Sequence, residues 1–171
     1  MVKRFFLIGY MGSGKTTVGK ILAEKLNLSF TDVDWFIEQR YRKTIGELFE
    51  IFGESRFREI ERKILREVSE FENTVIATGG GTPCFWDNMD FMKEKGITVY
   101  LSVPPHQLFE RLKKMAVNRP LLHGKTDEEL MDYISRTSEA RNPFYNQADI
   151  IHPFDDRSMT ETIESLANKL R

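Results

Sequence analysis

Short apolar runs alternate along the whole chain with stretches whose apolar residues recur every three or four positions. The runs predict strands at 4–9, 29–33, 74–78, 97–102 and 148–152. The helical spacing predicts helices at 15–26, 34–42, 44–52, 55–70, 86–95, 105–115, 126–141 and 158–170. Strands separated by helices point to an α/β fold of three layers, a parallel sheet covered on both faces. Val75-Ile76-Ala77 and Ile97-Thr98-Val99-Tyr100-Leu101 are apolar throughout and suit interior strands. In helix 55–70, Phe57, Ile60, Ile64 and Val68 make a face to bury, while Arg58, Arg62 and Arg66 lie on another among glutamates.

At 171 residues the chain has the length of one domain, 1–171, without an evident linker or repeat. The net charge of −1 gives no general attraction to nucleic acid or to an anionic membrane. Binding of a polyanion must then come from locally gathered arginines. Cys84 is the single cysteine, which excludes an internal disulfide and suits a packed thiol. His106, His123 and His152 lack metal-ligand spacing. Lys3-Arg4 precedes an apolar run that breaks at Gly9, too short for a signal segment, and no run reaches transmembrane length. These features lead us to expect a cytoplasmic protein.

Gly9-Tyr10-Met11-Gly12-Ser13-Gly14-Lys15-Thr16 matches the G-x-x-x-x-G-K-[ST] phosphate-binding loop. The apolar run Phe5-Phe6-Leu7-Ile8 precedes it, and a helical pattern with Val18, Ile21, Leu22 and Leu26 on one face follows. Strand, glycine loop and helix aim backbone N–H groups and a helix N-terminus at a polyphosphate. Lys15 can reach the β- and γ-phosphates, and the Thr16 hydroxyl can ligate Mg²⁺.

Three further features bear on the acceptor. Asp32 and Asp34, at the end of the second strand, project together if the chain there is extended. Asp32 can hold Mg²⁺ or its waters, and Asp34 can take a proton from an acceptor hydroxyl; the same pair also suits a turn or a helix cap. Gly79-Gly80-Gly81 follows Val75-Ile76-Ala77-Thr78 and lets backbone approach a ligand closely, although a tight turn would use glycine too. Thr78 stands where many phosphate-loop enzymes carry a metal-binding aspartate, so a metal would lean on Thr16 and Asp32. Arg58, Arg119 and Arg141 can grip carboxylates or phosphates bidentately if they converge; each alone also suits an exposed surface. The stretch 117–125, with Pro120 and Gly124, reads as a surface loop or an ordinary helix–helix connection.

Together these residues resemble the shikimate kinases. The phosphate loop continuing into Thr17-Val18-Gly19, Asp32-x-Asp34, Phe57-Arg58-x-x-Glu61, Gly79-Gly80-Gly81, Arg119-Pro120-Leu121-Leu122 and Arg141-x-Pro-x-Tyr145 follow that family's motifs in order over roughly residues 4 to 160. The resemblance implies a nucleoside-monophosphate-kinase-like P-loop fold with a five-stranded parallel sheet. It also implies substrate-binding helices at about 34–70 and a mobile lid at about 116–125. It implies transfer of the ATP γ-phosphate to the 3-hydroxyl of shikimate, with Mg²⁺, by a monomer that engages neither nucleic acid nor membrane. Gly12, Ser13, Gly14, Lys15, Thr16 and Thr17 would bind ATP, with Arg111 beside the adenine and a second such position near Arg157. Asp34, Arg58, Gly79, Gly80, Gly81 and Arg141 would bind the substrate, Arg58 and Arg141 facing its carboxylate. Lys15 and Arg119 would stabilise the transferring phosphoryl group, with Asp34 at the reacting hydroxyl. Alternatives are another small-metabolite kinase, such as a gluconate kinase, or a nucleotide-binding regulatory module without catalysis.

Overall fold

A computed structural model describes residues 3–115, 124–154 and 159–171. Among them, β1 (Arg4–Ile8), β2 (Ser29–Asp32), β3 (Thr74–Ala77), β4 (Ile97–Ser102) and β5 (Ile150–Pro153) form one parallel sheet in the order β2-β3-β1-β4-β5. Phe5 pairs with Val75 on one side and Ile97 on the other. Phe6, Leu7 and Ile8 are fully enclosed, as are Val75 and Ile76. The interior strands are thus the apolar ones, as the sequence pattern requires. The chain runs to one side of β1 for β2 and β3, then to the other for β4 and β5. That reversal puts a crevice at the carboxyl end of β1, where α/β folds bind ligands.

The helices are α1 (Lys15–Leu26), α2 (Val33–Tyr41), α3 (Ile45–Val68), α4 (Asn88–Lys95), α5 (Pro105–Met115), α6 (Asp127–Tyr145) and α7 (Met159–Leu170), with a 3₁₀ turn at Thr82–Cys84. Capping boxes start two of them. Thr44 and Glu47 satisfy each other's backbone N–H groups at α3, and Thr126 and Glu129 do so at α6. The predicted helices 44–52 and 55–70 join as the two arms of α3, which meet at Gly53 with φ 72° and ψ 169°. Phe57, Ile60, Ile64 and Val68 form its buried face, as expected.

Two boundaries differ from the sequence reading for identifiable reasons. Helix α6 continues past residue 141 and through Pro143 to Tyr145. Proline lacks the N–H that an interior turn needs. Here the last turn is held instead by the fully buried Tyr145, whose hydroxyl donates to the Gly80 carbonyl at 2.6 Å. The last strand begins at Ile150 rather than 148, because the Asp149 carboxylate accepts from the Thr98 N–H at 2.9 Å and its hydroxyl at 2.7 Å. That bond sets the β4–β5 register from a side chain.

Gly96 ends α4 and leads straight into β4. A Cβ there would lie 2.5 Å from the Arg4 carbonyl oxygen, which is backbone and cannot swing aside. Gly96→Ala should therefore lower stability by about 1–3 kcal/mol through overpacking alone. Urea unfolding checks this: the midpoint should fall with the slope unchanged. A variant as stable as its parent would show that β1 can yield at its first residue.

Candidate active site

The phosphate loop leaves β1 at Gly9 and turns back through a bond from the Ser13 N–H to the Tyr10 carbonyl, 3.1 Å. Gly9 (φ 147°) runs so near β4 that a Cβ would sit 2.9 Å from the Leu101 carbonyl oxygen. Gly14, at φ 92°, caps α1 without a side-chain hydrogen bond, so the first-turn N–H groups of α1 face outward uncapped, with Thr16 and Thr17 exposed beside them. Such a terminus favours an anion. Lys15 is buried, and its ammonium donates to the Gly9 carbonyl at 2.7 Å and the Tyr10 carbonyl at 2.9 Å. From α5, Arg111 donates to the Gly12 and Ser13 carbonyls, each at 3.3 Å, while its guanidinium lies 5.1 Å from the Phe154 ring. Arg111 thus braces the loop from α5.

The Thr16 hydroxyl donates to Asp32 Oδ2 at 2.5 Å. The other Asp32 oxygen accepts from the Trp35 N–H at 3.1 Å and caps α2. Cap and candidate ligand are therefore one residue. The expectation that Asp32 and Asp34 alternate along extended chain needs correction: Asp32 ends β2, and Asp34 lies in the first turn of α2. The cap turns the chain before a second alternation can occur, yet the two carboxylates stay close enough to repel. Thr78 gives its hydroxyl to the Leu7 carbonyl at 3.1 Å. Among the described residues no group of three or more His, Cys, Asp or Glu could hold a metal ion. The paired hydroxyl and carboxylate of Thr16 and Asp32 are hard oxygen donors, suited to a cation that takes few protein ligands.

The acceptor side is organised by the glycines after β3. A Cβ on Gly79 would lie 2.6 Å from Glu61 Oε1 and 3.0 Å from Asp34 Oδ1. One on Gly81 would lie 2.6 Å from the Arg58 guanidinium, and one on Gly80 would lie 3.4 Å from that of Arg141. Two carboxylates and two guanidiniums thus crowd this backbone, and a side chain at Gly79 or Gly81 would displace them. Arg58 is only 7% exposed. It donates to Glu61 Oε2 at 2.9 Å, while Glu61 Oε1 accepts from the Thr82 hydroxyl at 2.6 Å. Arg141 lies 5.4 Å from the Tyr10 ring, joining α6 to the phosphate loop. The Asp34 carboxyl is pushed up to about 7, first by burial, then by the charges of Glu61 and Asp32, with Lys15 pulling the other way. Burial also pushes the Cys84 thiol up to about 11, in keeping with a packed thiol rather than a nucleophile.

Lys15, Asp34, Arg58, Arg141 and the three glycines are thus gathered at one end of the sheet, with Arg111 behind the loop. Arg119, Arg157 and most of the expected lid at 116–125 lie outside the described residues. Glu61, Tyr145 and Thr82 shape the site although the sequence reading assigned none of them to it. Glu61 and Tyr145 lie within Phe57-Arg58-x-x-Glu61 and Arg141-x-Pro-x-Tyr145, and the i, i+3 spacing of Arg58 and Glu61 signals their pairing.

A phosphate loop facing a cradle of arginines and a titratable carboxylate defines a P-loop kinase with a small anionic acceptor. A family model described as shikimate kinase matches residues 11–171. A curated shikimate kinase from Bacteroides thetaiotaomicron is 55% identical over 168 residues, covering 98% of this chain and 96% of that protein. A crystal structure of shikimate kinase from the same organism superposes with a TM-score of 0.94 at 52% identity, covering 99% of each chain. Acinetobacter baumannii shikimate kinase, solved in complex with shikimate, superposes at 0.87 with 34% identity, covering 100% of this chain and 97% of that one. The chain belongs to the shikimate kinase family.

Asp34 links the site to stability. Its pKa is about 7 folded against about 3.9 in an unfolded chain. The folded state holds the proton more tightly, so Asp34 contributes stability below about pH 4 that is lost as pH rises to about 7. Asp34→Asn carries no charge in either state. It should match its parent in acid and become progressively more stable than it as pH rises through this window. Urea unfolding at a series of pH values measures the gap, and a gap that stays constant would mean Asp34 is not perturbed.

Proposed function

We infer that this chain is an ATP-dependent phosphotransferase with an alcohol acceptor. It transfers the γ-phosphoryl group of ATP to the 3-hydroxyl of shikimate, giving shikimate 3-phosphate and ADP on the way to chorismate and the aromatic amino acids. The observation that carries the reading is the convergence of Arg58, Arg141 and Asp34 on Gly79-Gly80-Gly81, next to Lys15. Family membership at 55% identity favours neither a gluconate kinase nor a regulatory module.

The residues divide the work by their chemistry. Arg58 and Arg141 offer planar donors to a carboxylate and fix the acceptor's orientation. Asp34, titrating near neutrality, orients the acceptor hydroxyl and takes its proton. Gly79, Gly80 and Gly81 let the acceptor reach the backbone. Gly12, Ser13, Gly14, Thr16 and Thr17 present the loop and the α1 N-terminus to the phosphates, and Arg111 supports the nucleotide side. Lys15 exchanges its bonds to the loop carbonyls for the β- and γ-phosphates. Arg119 and Arg157, outside the described residues, are assigned by motif alone to the phosphoryl group and the adenine side. Thr16 and Asp32 fit Mg²⁺ through one hydroxyl and one carboxylate. When bound, Mg²⁺ would neutralise charge on the β- and γ-oxygens. We assign the enzyme to the cytoplasm as a monomer without nucleic-acid or membrane partners, on the strength of its ATP chemistry and net charge of −1. No helix among the described residues is long and apolar enough to cross a membrane.

A coupled ADP assay should register turnover that depends on shikimate; turnover with gluconate but not shikimate would overturn the reading. In that assay Lys15→Ala should lower kcat by about 10²–10³, since its charge acts on the moving phosphoryl group.

Two further variants separate binding from chemistry. Arg141→Lys should mainly raise KM for shikimate, because the planar fork is lost equally in ground and transition states. Asp34→Asn should instead lower kcat, by about 10²–10⁴ if Asp34 is the base. A near-normal kcat with only a raised KM would make Asp34 a positioning residue.

The pH profile of kcat/KM tests the same carboxyl in the free enzyme. Activity should fall on the acid side with an apparent pKa near 7. Glu61→Gln removes one negative neighbour and should move that limb to lower pH. An unmoved limb would place the titrating group elsewhere.

A further inference from the structure

Between the 3₁₀ turn and α4, residues 85–87 form a short loop that the phosphoryl transfer does not itself use. Its backbone is strained: Trp86 has φ 47°, a left-handed conformation that bulky side chains rarely hold unless their surroundings impose it. The imposing contacts come from α3. Arg62 and Arg66 both donate to Asp87 Oδ1, each at 2.8 Å. Arg66 also donates to Asn88 Oδ1 at 3.1 Å and stacks 4.3 Å from the Phe91 ring, while Arg62 lies 5.3 Å from the Trp86 ring. Asn88 in turn donates to the Thr82 carbonyl at 2.9 Å and ties the loop back to the turn after the glycines.

This loop aims Phe85 inward. Its ring centroid lies 4.3 Å from the Arg58 guanidinium carbon, closer than Phe49 or Phe57, each at 5.5 Å. Arg58 has one short ion-pair bond, to Glu61, a second long contact to Glu54 at 3.5 Å, and a buried Nε without a hydrogen-bond partner. Both acidic partners grip the guanidinium by its edge, so its tilt depends on what packs against its faces. Bidentate capture of a carboxylate needs that plane fixed. A ring against its face supplies the restraint and adds cation–π attraction.

We propose that Phe85 is a positioning residue for acceptor recognition: Asp87, anchored by Arg62 and Arg66, holds its ring against Arg58 and so sets the guanidinium plane that meets the acceptor carboxylate. The proposal rests on the reading of Arg58 as a carboxylate-binding residue for shikimate. It closes a loop of contacts that starts and ends on α3, from Arg58 through Phe85 and Asp87 to Arg62 and Arg66.

Steady-state kinetics and calorimetric titration with shikimate test it. Phe85→Leu should raise KM and Kd for shikimate about three- to tenfold, with kcat and KM for ATP within about twofold of the parent. Phe85→Tyr keeps the ring and should restore both constants to within about twofold. Asp87→Asn, which loosens the anchor without touching Arg58, should shift them in the same direction by a smaller factor. The proposal is overturned if Phe85→Leu leaves KM for shikimate unchanged, if it shifts kcat and both KM values together, or if Phe85→Tyr behaves like Phe85→Leu. An Arg58→Lys control separates the two levels. A raised KM there with an unaffected Phe85→Leu refutes only the positioning role. An unchanged KM in Arg58→Lys refutes the underlying reading of Arg58, and the proposal with it.

Discussion

The close approach of four charged side chains to a backbone without side chains is the constraint on which the acceptor side depends. Glu61, Asp34, Arg58 and Arg141 come from α3, α2, α3 and α6, and each points at the turn that leaves β3. Any Cβ on Gly81 would strike the Arg58 guanidinium itself. The glycines therefore set how near the helices can lie to the sheet, and through that the spacing of the charges. Tyr145 works from the other side. Its hydroxyl fixes the Gly80 carbonyl, and its stack on Tyr100 at 5.0 Å pins the end of α6 that carries Arg141.

Gathering carboxylates in this way has an electrostatic cost that one residue absorbs. Glu61 is 1% exposed but answers Arg58 and Thr82 with its two oxygens. Asp32 divides its oxygens between the Thr16 hydroxyl and the start of α2. Asp34 is half-buried beside both, and its pKa rises to about 7, chiefly through desolvation. A group shifted this way destabilises the fold at neutral pH and is suited to proton transfer there. The same surroundings that weaken the fold at Asp34 suit it to the proton transfer proposed for it.

Much of this was legible in the chain, and the parts that were not share a cause. Strands and helices follow from apolar periodicity, so β1, β3 and β4 fall where the pattern puts them. The phosphate loop is contiguous, and its backbone geometry is local. Pro143 misleads because helix rules are local, whereas Tyr145 is held by a carbonyl 65 residues away. Asp32 misleads because strand alternation and helix capping compete at one residue, and the cap wins. Phe85 carries no local signal at all; its role depends on a loop shaped by Arg62 and Arg66, which in sequence look like ordinary surface charge.

The two halves of the site are also coupled through Lys15. In the loop its ammonium rests on two neutral carbonyls, and from there it lowers the pKa of Asp34 against the pull of burial and of Glu61. A phosphate oxygen carries more charge than a carbonyl and is the stronger acceptor. On the proposed reading of Lys15 as a phosphate-binding residue, nucleotide binding exchanges these carbonyls for phosphate oxygens. The field at Asp34 changes with it, because a cation that neutralises phosphate no longer offsets the neighbouring carboxylates to the same degree. Reciprocity then requires that the charge on Asp34 affect nucleotide affinity by the same factor. In that reading the protonation of Asp34 is set jointly by its desolvation beside Glu61 and Asp32 and by the lysine proposed to serve the phosphates.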